Sequence, residues 1–134
     1  MPLPVGTWNI SAGGATQTTS GTLVVPSSGS GIIGAVFGDP ITGFFDEASQ
    51  CFRFMRSRAG WPPVIETYEG TLFWTVVFKN NPGGLNGTLQ IVNFTLAGDW
   101  KSFAALGPVC DNSYTWVATM TQYLGADSDG DGTG

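Results

Sequence analysis

The run from Gly70 to Asn81, G-T-L-F-W-T-V-V-F-K-N-N, constrains the fold more than any other stretch of the chain. Leu72, Trp74, Val76 and Phe78 share one face of an extended strand, and Phe73, Thr75 and Val77 share the other. Aromatic and β-branched residues at a period of two predict a strand. Both faces are largely apolar, so the strand is expected to be buried on both sides. A small closed barrel whose outer wall packs against a partner subunit meets that requirement. Lys79-Asn80-Asn81-Pro82-Gly83-Gly84 then ends the strand with a polar turn.

The remaining segments complete such a barrel. Shorter strands are predicted over Gly6–Ser11, Gly21–Val25, Ile32–Phe37, Ile41–Asp46 and Gln50–Arg56. The long strand occupies Glu66–Phe78, followed by strands over Leu85–Ala97 and Ser113–Leu124, with Asp99–Leu106 ambiguous. Ala12–Thr19 and Arg58–Pro63 read as loops, the second because consecutive prolines remove donors and fix φ. No segment keeps a 3.6-residue period over three turns. A chain of 134 residues suits one domain with a real core. The expected class is therefore all-β, an eight-stranded antiparallel up-and-down barrel over residues 1–124, with a two-sheet sandwich as the alternative. The acidic Gly/Asp tail at 125–134 is expected to be disordered.

A net charge of −5 argues against nucleic acid or an anionic membrane as partner, because both need clustered cations. Only Arg53, Arg56 and Arg58 cluster, a weak patch, and Asp127, Asp129 and Asp131 place part of the acidity in the tail. No run approaches transmembrane length. Met1-Pro-Leu-Pro-Val-Gly6 has neither a charged n-region nor an apolar h-region, so it does not read as a leader, and a leader removed from a longer precursor stays open. The glycosylation sequons at Asn9, Asn86 and Asn93 hint at secretion, and a secreted or extracellular location is expected. Cys51 and Cys110 are either one disulfide or two buried thiols.

The chain has no histidine, which removes the usual general base and the commonest metal ligand. Asp39, Asp46, Glu47, Glu66, Glu69, Asp99 and Asp111 mostly neighbour turn residues and read as solvated caps rather than a hydrolytic pair. An enzyme is not expected, nor a cofactor or a bound metal. Asp127-Ser-Asp-Gly-Asp-Gly132 has the spacing of the front half of a calcium loop, but its later ligands are missing. The aromatics say more. Trp8, Trp74, Trp100 and Trp116 all lie in or beside predicted strands, with Phe78 added. Each alone reads as core, and Trp8 most of all. As a set they exceed what filling a small barrel requires, and indole suits the wall of a small-molecule site.

Four stretches carry a resemblance to the avidin and streptavidin family: Gly6-Thr-Trp-Asn9, Ile41-Thr-Gly-Phe-Phe-Asp46, Trp74-Thr-Val-Val-Phe-Lys-Asn-Asn81 and Trp116-Val-Ala-Thr119. Their order and spacing resemble the family's over roughly residues 5–124. The resemblance implies an eight-stranded barrel, a homo-oligomer (dimer or tetramer), and biotin bound at the open end. It implies that Trp100 and Trp116 box the ligand, that Phe78 stands where another boxing aromatic is usual, and that Trp8 and Trp74 are structural. The polar grip departs from the pattern. Ile10 stands where the family has its asparagine, with Asn9 adjacent, and one residue in a strand changes the face served. Ser20 is the best match to the family's serine, while Val36 and Leu124 fall about where a tyrosine and an aspartate are expected.

The expected function is a non-enzymatic barrel that binds biotin or a biotin-like, largely apolar small molecule with a weakened polar grip. Trp74, Phe78, Trp100 and Trp116 are the candidate walls, and Asn9, Ser11 and Ser20 the candidate polar contacts. Strand alternation groups Trp74 with Phe78, whereas the resemblance makes it structural. A structural or oligomerisation module without ligand is the alternative, and a carbohydrate-binding lectin a third reading.

Overall fold

Alternation decides which side chains point inward. Along Gly6–Ala12 the even positions Trp8, Ile10 and Ala12 are buried, while Thr7 and Asn9 are exposed. The computed structural model describes residues 1–14, 17–27, 29, 31–60, 64–80, 88–104 and 110–124. Over these, eight strands follow in order: β1 (Gly6–Ala12), β2 (Thr19–Val25), β3 (Gly31–Val36), β4 (Asp39–Asp46), β5 (Cys51–Arg58), β6 (Val64–Asn80), β7 (Thr88–Ala104) and β8 (Cys110–Leu124). Each pairs antiparallel with the next, and β1 pairs with β8 to close the barrel. The chain is an all-β, eight-stranded up-and-down barrel rather than a sandwich.

The inner wall is apolar through most of its height. Trp8, Leu23, Val25, Phe52 and Leu96 are fully buried, each side chain of this kind contributing about 1.5–3 kcal/mol relative to exposure. One end, the floor, is where β2 meets β3, β4 meets β5 and β6 meets β7. Leu3 covers it at 1% exposure, and the Trp8 indole Nε1 donates to the Pro4 carbonyl at 3.3 Å. At the other end, the mouth, β3 turns into β4 through Phe37 and Gly38, whose φ values of 50° and 82° make a two-residue hairpin turn of the kind that suits strand twist.

Three expectations change. Asp99–Ala104, ambiguous from its pattern, is simply the end of β7. Gly98 broke the alternation there because the barrel needs the space: a Cβ at Gly98 would collide with the Glu69 carbonyl. Thr19 and Ala12, read as loop, are the last paired residues of the β1–β2 hairpin. Two-sided burial of β6 does not hold within one chain. Past Leu72, β6 and β7 run beyond the floor with β8 alongside, leaving Phe73, Trp74, Val76, Val77 and Phe78 between 41% and 62% exposed.

Cys51 is a free thiol at the floor end of β5, whereas Cys110 begins β8 at the mouth, the opposite end of the barrel. The tail with its half calcium loop, the sequon at Asn86 and the turn after Asn80 lie outside the described residues.

Candidate functional site

The inward positions nearest the mouth break the apolar pattern. On β4, β5 and β6 they are Asp39, Arg56 and Glu66, in line with Ile41 and Phe45, Phe52 and Phe54, and Tyr68 and Leu72. Arg56 sits at the centre. Its Nε and Nη2 reach Asp39 Oδ2 at 2.9 and 2.7 Å, and its Nη1 reaches Glu66 Oε1 at 3.0 Å. Glu66, at 3% exposure, also accepts a 2.7 Å hydrogen bond from the Tyr68 hydroxyl on Oε1. Its Oε2 lies 3.8 Å from Arg58 Nη1, whose side chain is half exposed. The Arg56 guanidinium also lies 4.9 Å from the centre of the Phe37 ring, within cation–π range.

Burial works against the Arg56 charge, but the hydrogen bond to Asp39 and the pull of Glu66 outweigh it and raise its pKa above the ordinary value. Tyr68 is pushed far up, first by burial and then by its bond to the Glu66 carboxylate. It is a neutral donor at any ordinary pH.

Next to this cluster a row of aromatics crosses four strands. Phe54, Tyr68, Trp100 and Tyr114 are successive cross-strand partners on β5, β6, β7 and β8. Phe54 stacks on Tyr68 at 4.5 Å and 7°, and Tyr68 on Trp100 at 5.5 Å and 14°. Each such pair adds about 0.5–1.5 kcal/mol beyond its buried area. Trp116 meets Phe54 and Tyr68 edge-on and fits over the glycines of β6 and β7, where a Cβ at Gly70 would stand 2.6 Å from its ring. Its Nε1 donates to the carbonyls of Glu69 and Asp99, each at 3.1 Å, and Trp100 Nε1 donates to the Gly13 carbonyl at 2.9 Å.

Between the cluster and the row lies a cavity of about 270 Å³ lined by Ala12–Gly14, Gln17, Thr19, Phe37, Arg56, Arg58, Glu66, Tyr68 and Trp100. A larger hollow of about 520 Å³ is a shallow trough on the outer wall beside Phe44 and Met55, and its charged residues Arg53 and Glu69 are both well exposed. Among the described residues the mouth combines concavity with a buried charged group, so it is the candidate site.

The sequence-based candidates separate in space. Trp100 lines the mouth cavity. Trp116 lies inside the barrel at 3% exposure as part of the packing. Trp74 and Phe78 stand on the extension beyond the floor, at the opposite end. Asn9, Ser11 and Ser20 take the outward positions of β1 and β2, where Ser11 and Ser20 approach each other at 3.2 Å beside a shallow hollow with Val117 and Thr119. The grouping of these seven residues around one pocket is therefore not what the fold makes.

The residues that sequence reasoning passed over are Phe37, Asp39, Arg56, Glu66 and Tyr68. Parity could have found three of them, since Arg56 continues the inward series Phe52–Phe54, Glu66 leads into Tyr68–Leu72, and Asp39 precedes Ile41. Among the described residues no group of three metal-ligating side chains converges. Comparison with family models, curated proteins and solved structures returns no match for this chain.

Proposed function

We propose that the protein is a non-enzymatic small-ligand carrier or sensor whose site is the mouth of the barrel. The observation that carries this reading is Glu66, a carboxylate at 3% exposure lining a cavity of about 270 Å³ beside Trp100. Binding sites pair an apolar, aromatic wall with a few fixed polar groups. Arg56, Asp39 and Tyr68 fix Glu66 in place, so the group is set before a ligand arrives. Biotin or a biotin-like cyclic urea is the first candidate, on the strength of the resemblance to avidins, with the polar contact supplied by mouth residues rather than by Asn9, Ser11 and Ser20.

Tryptophan fluorescence with biotin titrated in, repeated by calorimetry, tests this. Saturable change at micromolar biotin supports it, and loss of that change in Trp100→Phe places the ligand at the mouth. No response at millimolar biotin rejects biotin.

A second reading has its own support. Phe73, Trp74, Val76, Val77 and Phe78 form an exposed apolar surface of the sort that marks an interaction site. It favours association into a homo-oligomer through β6–β8. Sedimentation of the native chain against Phe73→Ser/Val77→Ser tests it, and a native chain that sediments as a monomer rejects it.

A further inference from the structure

We propose that Glu66 decides what the mouth accepts: a small planar ligand that presents N–H donors, of the amidine, guanidine or urea class, to Glu66 Oε2. This rests on the mouth being a binding site and names the chemistry that site reads.

The hydrogen-bond pattern of the cluster points there. Arg56 is held on both sides, with Nε and Nη2 on Asp39 and Nη1 on Glu66 Oε1. Oε1 carries the Tyr68 hydroxyl as well. Among the described residues Oε2 accepts no hydrogen bond, and its nearest cation, Arg58 Nη1, stands 3.8 Å away, outside hydrogen-bond reach. An acceptor on a buried carboxylate is a strong site for a donor, because hydrogen bonds to ionised groups are roughly twice as strong as neutral ones.

The aromatic walls offer nothing to the opposite kind of ligand. The N–H groups of Trp100 and Trp116 are spent on backbone carbonyls, and the Tyr68 hydroxyl is spent on Glu66. Arg58 is the member of the cluster that can leave without breaking a buried contact, its side chain being 53% exposed. When it swings out, two carboxylates remain against one guanidinium. An amidinium or guanidinium ligand then replaces the lost charge, a urea supplies donors without charge, and a carboxylate meets repulsion.

The test uses three probes that share one ring and differ in the head group: benzamidine, benzamide and benzoate. Calorimetry and tryptophan fluorescence on the full chain are expected to rank them in that order, with about tenfold between benzamidine and benzamide. Glu66→Gln keeps the side-chain shape, and is expected to weaken benzamidine by about tenfold or more and to level the series. Arg58→Gln, at an exposed position, removes the rival cation and is expected to tighten benzamidine severalfold.

Benzoate binding as well as benzamidine, or benzamidine indifferent to Glu66→Gln, overturns the role of Glu66 while leaving the mouth as a site. If Glu66→Gln does not fold, Arg58→Gln decides, and unchanged or weaker benzamidine binding there overturns the proposal. No saturable response to any of the three probes or to biotin overturns this inference and the reading beneath it together.

Discussion

At the floor, Leu3 and Trp8 are sealed at 1% and 0% exposure, and Phe94 packs against the indole with ring centres 6.4 Å apart. At the mouth, the same inward positions carry Asp39, Arg56 and Glu66, held by four short polar contacts with Tyr68 and one another. The floor is stabilised by area removed from water, which is non-directional and tolerant of the shape that supplies it. The mouth depends on pairing. Taking charges out of water is unfavourable, and mutual attraction offsets it only while every partner is present. Selectivity in a barrel therefore resides at the end where buried groups have one correct arrangement, not at the end that any close-packed apolar set could fill.

The strongest way to break this contrast is to remove one member at each end. Arg56→Ala is expected to destabilise the fold by about 3–5 kcal/mol, read by urea denaturation, because it leaves buried carboxylates unpaired. Trp8→Ala is expected to cost about as much, roughly 3–5 kcal/mol, by leaving a cavity. The two ends part company on replacement. Asp39→Leu/Arg56→Met/Glu66→Leu together are expected to recover most of the Arg56→Ala loss, since an apolar set of similar volume matches a buried ion pair in stability. A triple variant as unstable as Arg56→Ala alone would mean that the mouth is a source of stability like the floor.

A smaller effect probes the ground between the ends. Gly70→Val drives a side chain into the Trp116 ring and is expected to cost about 1–3 kcal/mol, with a shift in tryptophan emission as the indole is displaced. Wild-type stability in that variant would show that the ring has somewhere else to go.

Alkali should sharpen the contrast further. The folded pKa of Tyr68 is raised above the ordinary value of 10.0, first by burial. The stabilisation linked to its neutral form is therefore complete below the unfolded pKa and is lost as pH rises above it toward the folded value. Stability should fall above about pH 10, and phenolate absorbance should show one tyrosine ionising only as the barrel opens. Tyr68→Phe removes that late step. The smallest effect is expected outside the barrel: Arg53→Ala, which breaks the exposed 2.7 Å pair with Glu69, should leave the denaturation curve where it was.

Much of this architecture was legible because a period of two survives along most of the strands. Phe52–Phe54 and Trp8–Ile10 could each be read as inward-facing from pattern alone. Asp99–Ala104 could not, since Gly98 erases a beat, and the reason for that glycine is the close approach of the Glu69 carbonyl on the neighbouring strand. The site was harder. Trp100 was found because indole draws notice. Glu66 is easily passed over because an acidic residue near a loop is usually solvated, and its parity with Tyr68 and Leu72 and its register opposite Arg56 show that it is not. Ser20 is suggested by likeness to a motif, and Asn9 and Ser11 only by standing beside the position where that motif departs, whereas their odd and even positions already place all three on the outer wall.

β5 pairs with β6 only as far as Thr71, and β1 pairs with β8 only as far as Thr119, so beyond the floor the sheet has two rims with no neighbouring strand among the described residues. A row of open N–H and C=O groups is a template for another strand, and proteins commonly guard such rims with lysine, proline or a bulge. Phe73–Phe78 contains no charge and no proline, and its aromatic and β-branched composition is that of a segment prone to cross-β stacking. Handling of this protein at high concentration, and the yield of its refolding, will therefore be governed by what caps that rim rather than by the free energy of the barrel.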